Sequence, residues 1–187
     1  MKIYMIFGTF LAILLSGCLA KSAPAQETYS LKYNAIKNQE VCIQRLKSSV
    51  FVRADSNDDN KFIFVKNGDR LTRLAGAKFD LFYTDMLVKM MIGALGKSCE
   101  FSPSGARIAS DMQLDLRVLE FYADDEKANI SLLFTLTKAG SVIKTGVINS
   151  ANKSDDKSAK SLVKAFNEAA NDSVNKVLLE ISKAQNI

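Results

Sequence analysis

Apolar and polar positions along this chain repeat with two periods, and the switches between them mark its elements. Val41-Cys42-Ile43-Gln44-Arg45-Leu46 reads as a first strand that can continue to Val52. Asp55-Ser56-Asn57-Asp58-Asp59-Asn60 is a turn cluster, rich in residues whose side chains bond their own backbone. Phe62 to Val65 forms a second strand, so the two runs predict a hairpin with a long acidic loop. Asn67-Gly68-Asp69 is a further turn, and Leu71 to Leu74 a short third strand. From Phe79 to Leu95 the period lengthens. Phe79, Phe82, Tyr83, Met86, Leu87, Met90, Met91 and Ala94 recur at three and four, which predicts an amphipathic helix stopping near Gly96. After a break at Ser102-Pro103-Ser104-Gly105, alternation returns. Met112, Leu114, Leu116 and Val118 face away from Gln113, Asp115, Arg117 and Leu119. Ile130 to Thr137 alternates too, Gly140 turns the chain, and Val142 to Ile148 is the last strand. One covered face is expected for this meander. A final helix, capped by Ser154 or Asp155, carries the stripe Leu162, Val163, Phe166, Ala169, Ala170, Val174, Val177, Leu178 and Ile181. The predicted class is α+β: a two-layer sandwich whose mainly antiparallel sheet is covered on one face by two amphipathic helices.

The N-terminus stands apart from this pattern. Lys2 precedes an apolar run from Tyr4 to Leu15, and Leu15-Ser16-Gly17-Cys18 closes it. About a dozen apolar residues are too few to span a bilayer, which takes roughly 20. A basic start, a short core and small residues at the end are an export signal. The closing residues resemble a bacterial lipobox, in which cleavage between Gly17 and Cys18 frees a cysteine for lipidation. That resemblance implies three acyl chains on Cys18 and stable anchoring, since a single chain holds only weakly. The organisation expected is a signal over 1–17, a lipidated tether over 18–28, whose small and polar residues have no period, and a folded periplasmic domain over 29–187. Leu19 rather than Asp follows Cys18, which favours the outer membrane over the inner.

Composition narrows the chemistry. The chain has 187 residues and a net charge of +5, and Lys2 leaves with the signal. No basic stripe is interleaved with aromatics, so nucleic acid is not an expected partner. The sequence contains no histidine, which removes Ser-His-Asp and Cys-His nucleophile systems and most zinc sites. Neither an enzyme nor a cofactor is expected; a lysine or carboxylate hydrolase is the minor alternative. Cys42 and Cys99 remain in an oxidising compartment, where they either form a disulfide or stay as two separate buried thiols.

Several motifs have plainer readings. Gly93-Ala94-Leu95-Gly96-Lys97-Ser98 lacks the first glycine of a phosphate loop and ends a helix instead of opening one. Asp55, Asn57 and Asp59 have the spacing of calcium ligands, but Asn60 and Lys66 stand where an EF-hand needs Gly and Glu; the reading is a solvated loop. Asp124-Asp125-Glu126 and Asp155-Asp156 fall in a turn and a cap. Met86, Met90 and Met91 could line a soft lipid groove or simply pack in the core.

Taken together, the lipobox, the tether, Thr28-Tyr29-Ser30-Leu31, the amphipathic helix and the strand Met112-Gln113-Leu114-Asp115-Leu116-Arg117-Val118-Leu119-Glu120-Phe121 resemble the ABC-type transport auxiliary lipoproteins. The resemblance implies a lipid-anchored accessory subunit at the periplasmic face of the outer membrane. Its partner would be the periplasmic component of an ABC-type, mammalian-cell-entry-type lipid or solute transporter, with self-association left open. It implies no catalytic residues. The alternative is a structural envelope lipoprotein that assists assembly of an outer-membrane complex.

Overall fold

The computed structural model describes residues 26–34, 48–124 and 127–185. Gly17, Cys18 and Cys42 lie outside them, as does the expected strand over 41–46. Among the described residues, eight strands and two helices form the α+β sandwich. The strands are β1 (Glu27–Tyr29), β2 (Ser48–Ser56), β3 (Phe62–Asn67), β4 (Arg70–Phe79), β5 (Phe101–Ser104), β6 (Met112–Asp124), β7 (Lys127–Lys138) and β8 (Ser141–Lys153). The helices are α1 (Tyr83–Lys97) and α2 (Ala159–Gln185).

The meander β6–β7–β8 is the backbone of the sheet, with long antiparallel ladders on both sides of β7. Its inward residues Leu114, Leu116, Ile130, Leu132, Phe134 and Leu136 are buried, as alternation requires. β7 and β8 meet through Ala139 and Gly140, both at positive φ (49° and 80°), the backbone that lets a two-residue turn follow strand twist.

The other edge of β6 departs from the expected hairpin. β2 runs parallel to it from Met112 to Val118, and β3, also parallel, meets it at Ala123 and Asp124. β2 and β3 therefore lie one after the other along the same edge and do not pair with each other. Parallel neighbours leave no short-range trace in sequence, because the partner lies some 60 residues away. Beyond β2 the sheet adds β5, and beyond β3 it adds β4 and then β1. The sheet is thus forked, with β6 as the stem.

Smaller differences have local causes. Asp55 and Ser56 belong to β2, so the turn starts later than expected. β4 is longer than Leu71 to Leu74 and includes Phe79, which is fully buried. Its spacing from Phe82 and Tyr83 mimics helix, yet α1 starts at Tyr83. Glu27 and Thr28, expected in the tether, pair with Ala77 and Lys78 of β4, and Ser102–Ser104 form part of β5 where a break was expected. The cap of α2 is Ser158, whose Oγ accepts the Ser161 N–H at 3.2 Å. Ser154 instead donates to Ser161 Oγ at 2.9 Å.

Both helices lie on the same face of the sheet, α1 over β2, β5 and β6 and α2 over β7 and β8. Met86, Met90 and Met91 are fully enclosed between the layers, so they pack the core and line no groove. No described helix is long and apolar enough to cross a membrane.

Candidate functional site

The fork leaves a gap between the end of β2 and the start of β3. Four residues of β6 lie between Val118 and Ala123, while eight lie between Ser56 and Val65. The surplus chain bulges outward, and no described strand pairs with Leu119–Tyr122 on this edge. On the β7 side a bulge falls at the same place, between Val118 and Glu120. A bulge re-aims side chains. Here it puts Leu119 and Glu120 both outward, with Leu119 49% exposed.

The result is a groove of about 560 Å³ that enters from the uncovered face and reaches the core. Its floor is aromatic. Tyr83 stacks on Phe121 at 4.2 Å between ring centres, and Phe121 stacks on Phe166 at 4.9 Å. Phe79 meets all three rings edge-on. Tyr83 donates its hydroxyl to the Phe62 carbonyl. Burial and the charge of Asp59 push the Tyr83 phenol well above its usual range, so it remains a proton donor. The walls carry Phe64, Leu71 and Tyr122, with Lys66 Nζ 5.2 Å from the Tyr122 ring centre. Asp58, Asp69 and Glu120 against Lys66 give the lining a negative balance.

The acidic loop is anchored rather than simply solvated, and this corrects the sequence reading. Asp59 accepts the Thr84 hydroxyl at 2.6 Å and the Thr84 N–H at 3.3 Å. It thereby caps α1, whose own N-cap residue Phe82 offers no side-chain bond. The Asn60 carbonyl accepts from Tyr83 N–H, and Lys61 Nζ donates to the Asp80 carbonyl at 3.0 Å. Loop, helix start and groove floor therefore form one unit.

Next to the groove, the uncovered face of β2 and β6 bears two ion pairs in register, Arg53 with Asp115 and Arg117 with Asp55. The Arg117 guanidinium holds the Asp55 carboxyl below its usual range. Exposed pairs of this kind add little stability but give the face a fixed charge pattern. Farther out it carries exposed Val142 and Val147 on β8.

The N-terminal segment reaches the body by a different device. Asn167 and Asn171 of α2 accept the Lys32 and Asn34 N–H groups, both at 2.7 Å, and Asn171 returns a bond to the Lys32 carbonyl. Asn175 accepts the Tyr33 hydroxyl at 3.1 Å. Three asparagines one turn apart so clasp an extended strap.

Of the site residues expected from sequence, Cys99 lies in the connection between α1 and β5, and Gly17, Cys18 and Cys42 fall outside the described residues. Among the described residues no group of acidic or cysteine side chains is placed to hold a metal. The groove was not anticipated. Its one local signal was Leu119, an apolar residue on the polar side of an alternating strand.

No family model and no curated relative matches the sequence. The fold has solved counterparts. Protein XCC0632 from Xanthomonas campestris, assigned to the family DUF330, superposes with a TM-score of 0.71 at 19% identity, over 81% of this chain and 92% of that one. An uncharacterised protein gives 0.70 at 12%, over 84% and 99%. The hypothetical protein CT253 from Chlamydia trachomatis gives 0.52 at 7%, over 74% and 98%. At these identities the likeness is one of fold.

Proposed function

We propose that this chain is a lipid-anchored accessory subunit of an ABC-type, mammalian-cell-entry-type lipid or solute transport system, held at the periplasmic face of the outer membrane. The observation that carries the reading is the lipobox ending in Cys18, joined by a short tether to a two-layer domain that leaves one sheet face open. The role is positional. Three acyl chains on Cys18 retain the domain at the membrane, and the open face docks on the transporter's periplasmic component through the groove at the fork. Catalysis is no part of this role. Asp55, Asp59 and Asp155 are each engaged in a structural bond, and no histidine exists to act as a base. A Cys42–Cys99 disulfide, formed on export, would tie the residues before β2 to the end of α1.

Affinity purification from solubilised membranes tests the reading. The expected yield is an ATPase, a permease and a mammalian-cell-entry-type protein. Recovery of an outer-membrane assembly complex without transporter subunits would replace the accessory role with assembly of that complex. In parallel, Cys18→Ala should leave the precursor uncleaved or mislocalised. Normal outer-membrane fractionation of this variant would refute the anchor.

A further inference from the structure

β8 ends the sheet on the side away from β1. It pairs with β7, and among the described residues no strand covers its outer edge. A long free edge is a template for another strand, and proteins usually blunt it with charge, proline or a short span. β8 has 13 residues and no proline, and the run from Thr145 to Asn152 carries no charge. Val142, Ile143 and Val147 stand exposed along it. α2 overhangs this edge. Asn167, Asn171 and Asn175 hold the strap on one flank of the helix. The other flank carries Asp172, Lys176, Glu180 and Lys183. Two of these reach β8: Lys176 donates to the Asn149 carbonyl at 2.9 Å, and Glu180 pairs with Lys144 at 3.4 Å. The middle of the flank therefore lies over the middle of the strand, at the level of Val147.

We propose that two copies of this chain join edge to edge, β8 antiparallel to β8, about a two-fold axis through Val147. Charge selects the register. With Val147 opposite itself, Lys144 faces Ser150 of the second copy and Lys153 faces Ser141, whereas an axis at either lysine sets like charges opposite each other. Thr145 faces Asn149, and Gly146 leaves room for the Ile148 side chain across from it. The helices obey the same axis. α2 packs over both β7 and β8, so with strands about 4.8 Å apart its axis lies about one strand spacing from the two-fold. The two α2 axes then run about 10 Å apart, the distance at which helices pack. Antiparallel about Leu178, each Lys176 meets Glu180 of the other copy, and each Asp172 comes beside Lys183. One axis thus gives the strand layer a ladder and the helix layer complementary charge. The joint is about 40 Å long and two layers, about 20 Å, deep. That is about 800 Å² a side, the size of a stable interface. The fork stays open on the uncovered face, and the two β1 strands lie at the outer ends of the joined sheet. The inference does not depend on the anchor reading and is compatible with it: tethers of nine residues, about 30 Å at most, reach one bilayer lying normal to the axis.

Native mass spectrometry of the full mature chain in detergent, over a concentration series, tests this together with disulfide trapping. A dimer is expected, and Val147→Cys should trap it, since residues directly opposite in an antiparallel pair lie about 4.5–5.5 Å apart at Cα, within reach of a disulfide. Thr145→Cys alone should not cross-link, because the two positions 145 stand about 13 Å apart along the strands. The double variant T145C/N149C should cross-link. Val147→Lys, at a position 52% exposed, should leave the thermal unfolding of the chain unchanged and weaken the dimer about tenfold or more. A chain that stays single at every concentration overturns the proposal. So does a dimer that Val147→Lys leaves intact, or one trapped by Thr145→Cys alone, which would have another register. An open-ended series of adducts would replace the closed pair with a fibre. A disulfide from position 147 to a different polypeptide, with the chain itself single, would give the edge to a foreign strand and overturn self-pairing.

Discussion

At the scale of single residues, packing against the meander is the tightest constraint. Gly146 on β8 lies opposite Phe134 of β7, and the phenyl ring occupies the space where a side chain would sit. A Cβ at position 146 would lie 2.9 Å from Phe134 Cε1 and 3.2 Å from Cζ. Phe134 is itself enclosed by the core, so its ring cannot swing into solvent. Gly146→Ala should therefore destabilise the domain by about 1–3 kcal/mol, the usual cost of overpacking. A lowered urea midpoint at unchanged slope is the expected result; an unchanged midpoint would mean that the ring relaxes freely. The clash distinguishes position 146 from Gly140 and Gly68, which have open space where a Cβ would stand and owe their glycine to positive φ instead.

At the scale of elements, the loop between β2 and β3 does more than connect. Asp59 is the distant cap of α1, and α1 supplies Tyr83 to the groove floor. Asp59→Ala should cost about 1–2 kcal/mol, the range for loss of an N-terminal cap, while Asp59→Asn, which keeps an acceptor, should recover most of it. Equilibrium unfolding of both variants checks this, and equal loss in the two would point to charge instead of capping. The elements read correctly from sequence are those whose partners are near in the chain. β6, β7 and β8 follow from local alternation, and the α2 stripe from Leu162 to Ile181 is buried as its spacing requires, save half-buried Leu178. What could not be read depends on distant partners. The in-line placement of β2 and β3 is decided by β6, and the true start of α1 by the burial of Phe79 against Phe121 and Phe166. β1 and β5 are too short to show a period, at three and four residues. The groove escaped notice for the same reason, because its lining comes from β2 through β4, α1 and β6, and only Leu119 broke a local pattern.

At the scale of the whole molecule, the proposed anchoring poses the question of how the domain would present one face to a partner. A Cys42–Cys99 bond would close a loop of roughly 57 residues and restrict the unfolded chain by at most about 4 kcal/mol. Mass spectrometry under non-reducing conditions should find it in mature protein, and two free thiols would reject it. Docking is the more demanding prediction. The groove combines apolar walls with a surplus of acidic residues, so the surface that fits it is apolar with a basic surround. Leu71 and Leu119 stand at its mouth, 53% and 49% exposed. Substituting them removes apolar contact without opening the core. Leu71→Arg combined with Leu119→Arg also reverses the local charge, so both contributions to docking fail together. The double variant should fold, keep its lipid anchor and fractionate normally, yet lose co-purification with the transporter's periplasmic component at least tenfold, as expected when central contacts of an interface are removed. Val142→Arg supplies the control. Val142 is 63% exposed on β8, at the far edge of the same sheet, and its substitution adds the same charge away from the fork. If the double variant still co-purifies like the wild type, the groove is not the docking surface. If Val142→Arg abolishes recovery instead, the contact lies on the β8 edge, and the fork is a consequence of fitting two parallel strands along one side of β6.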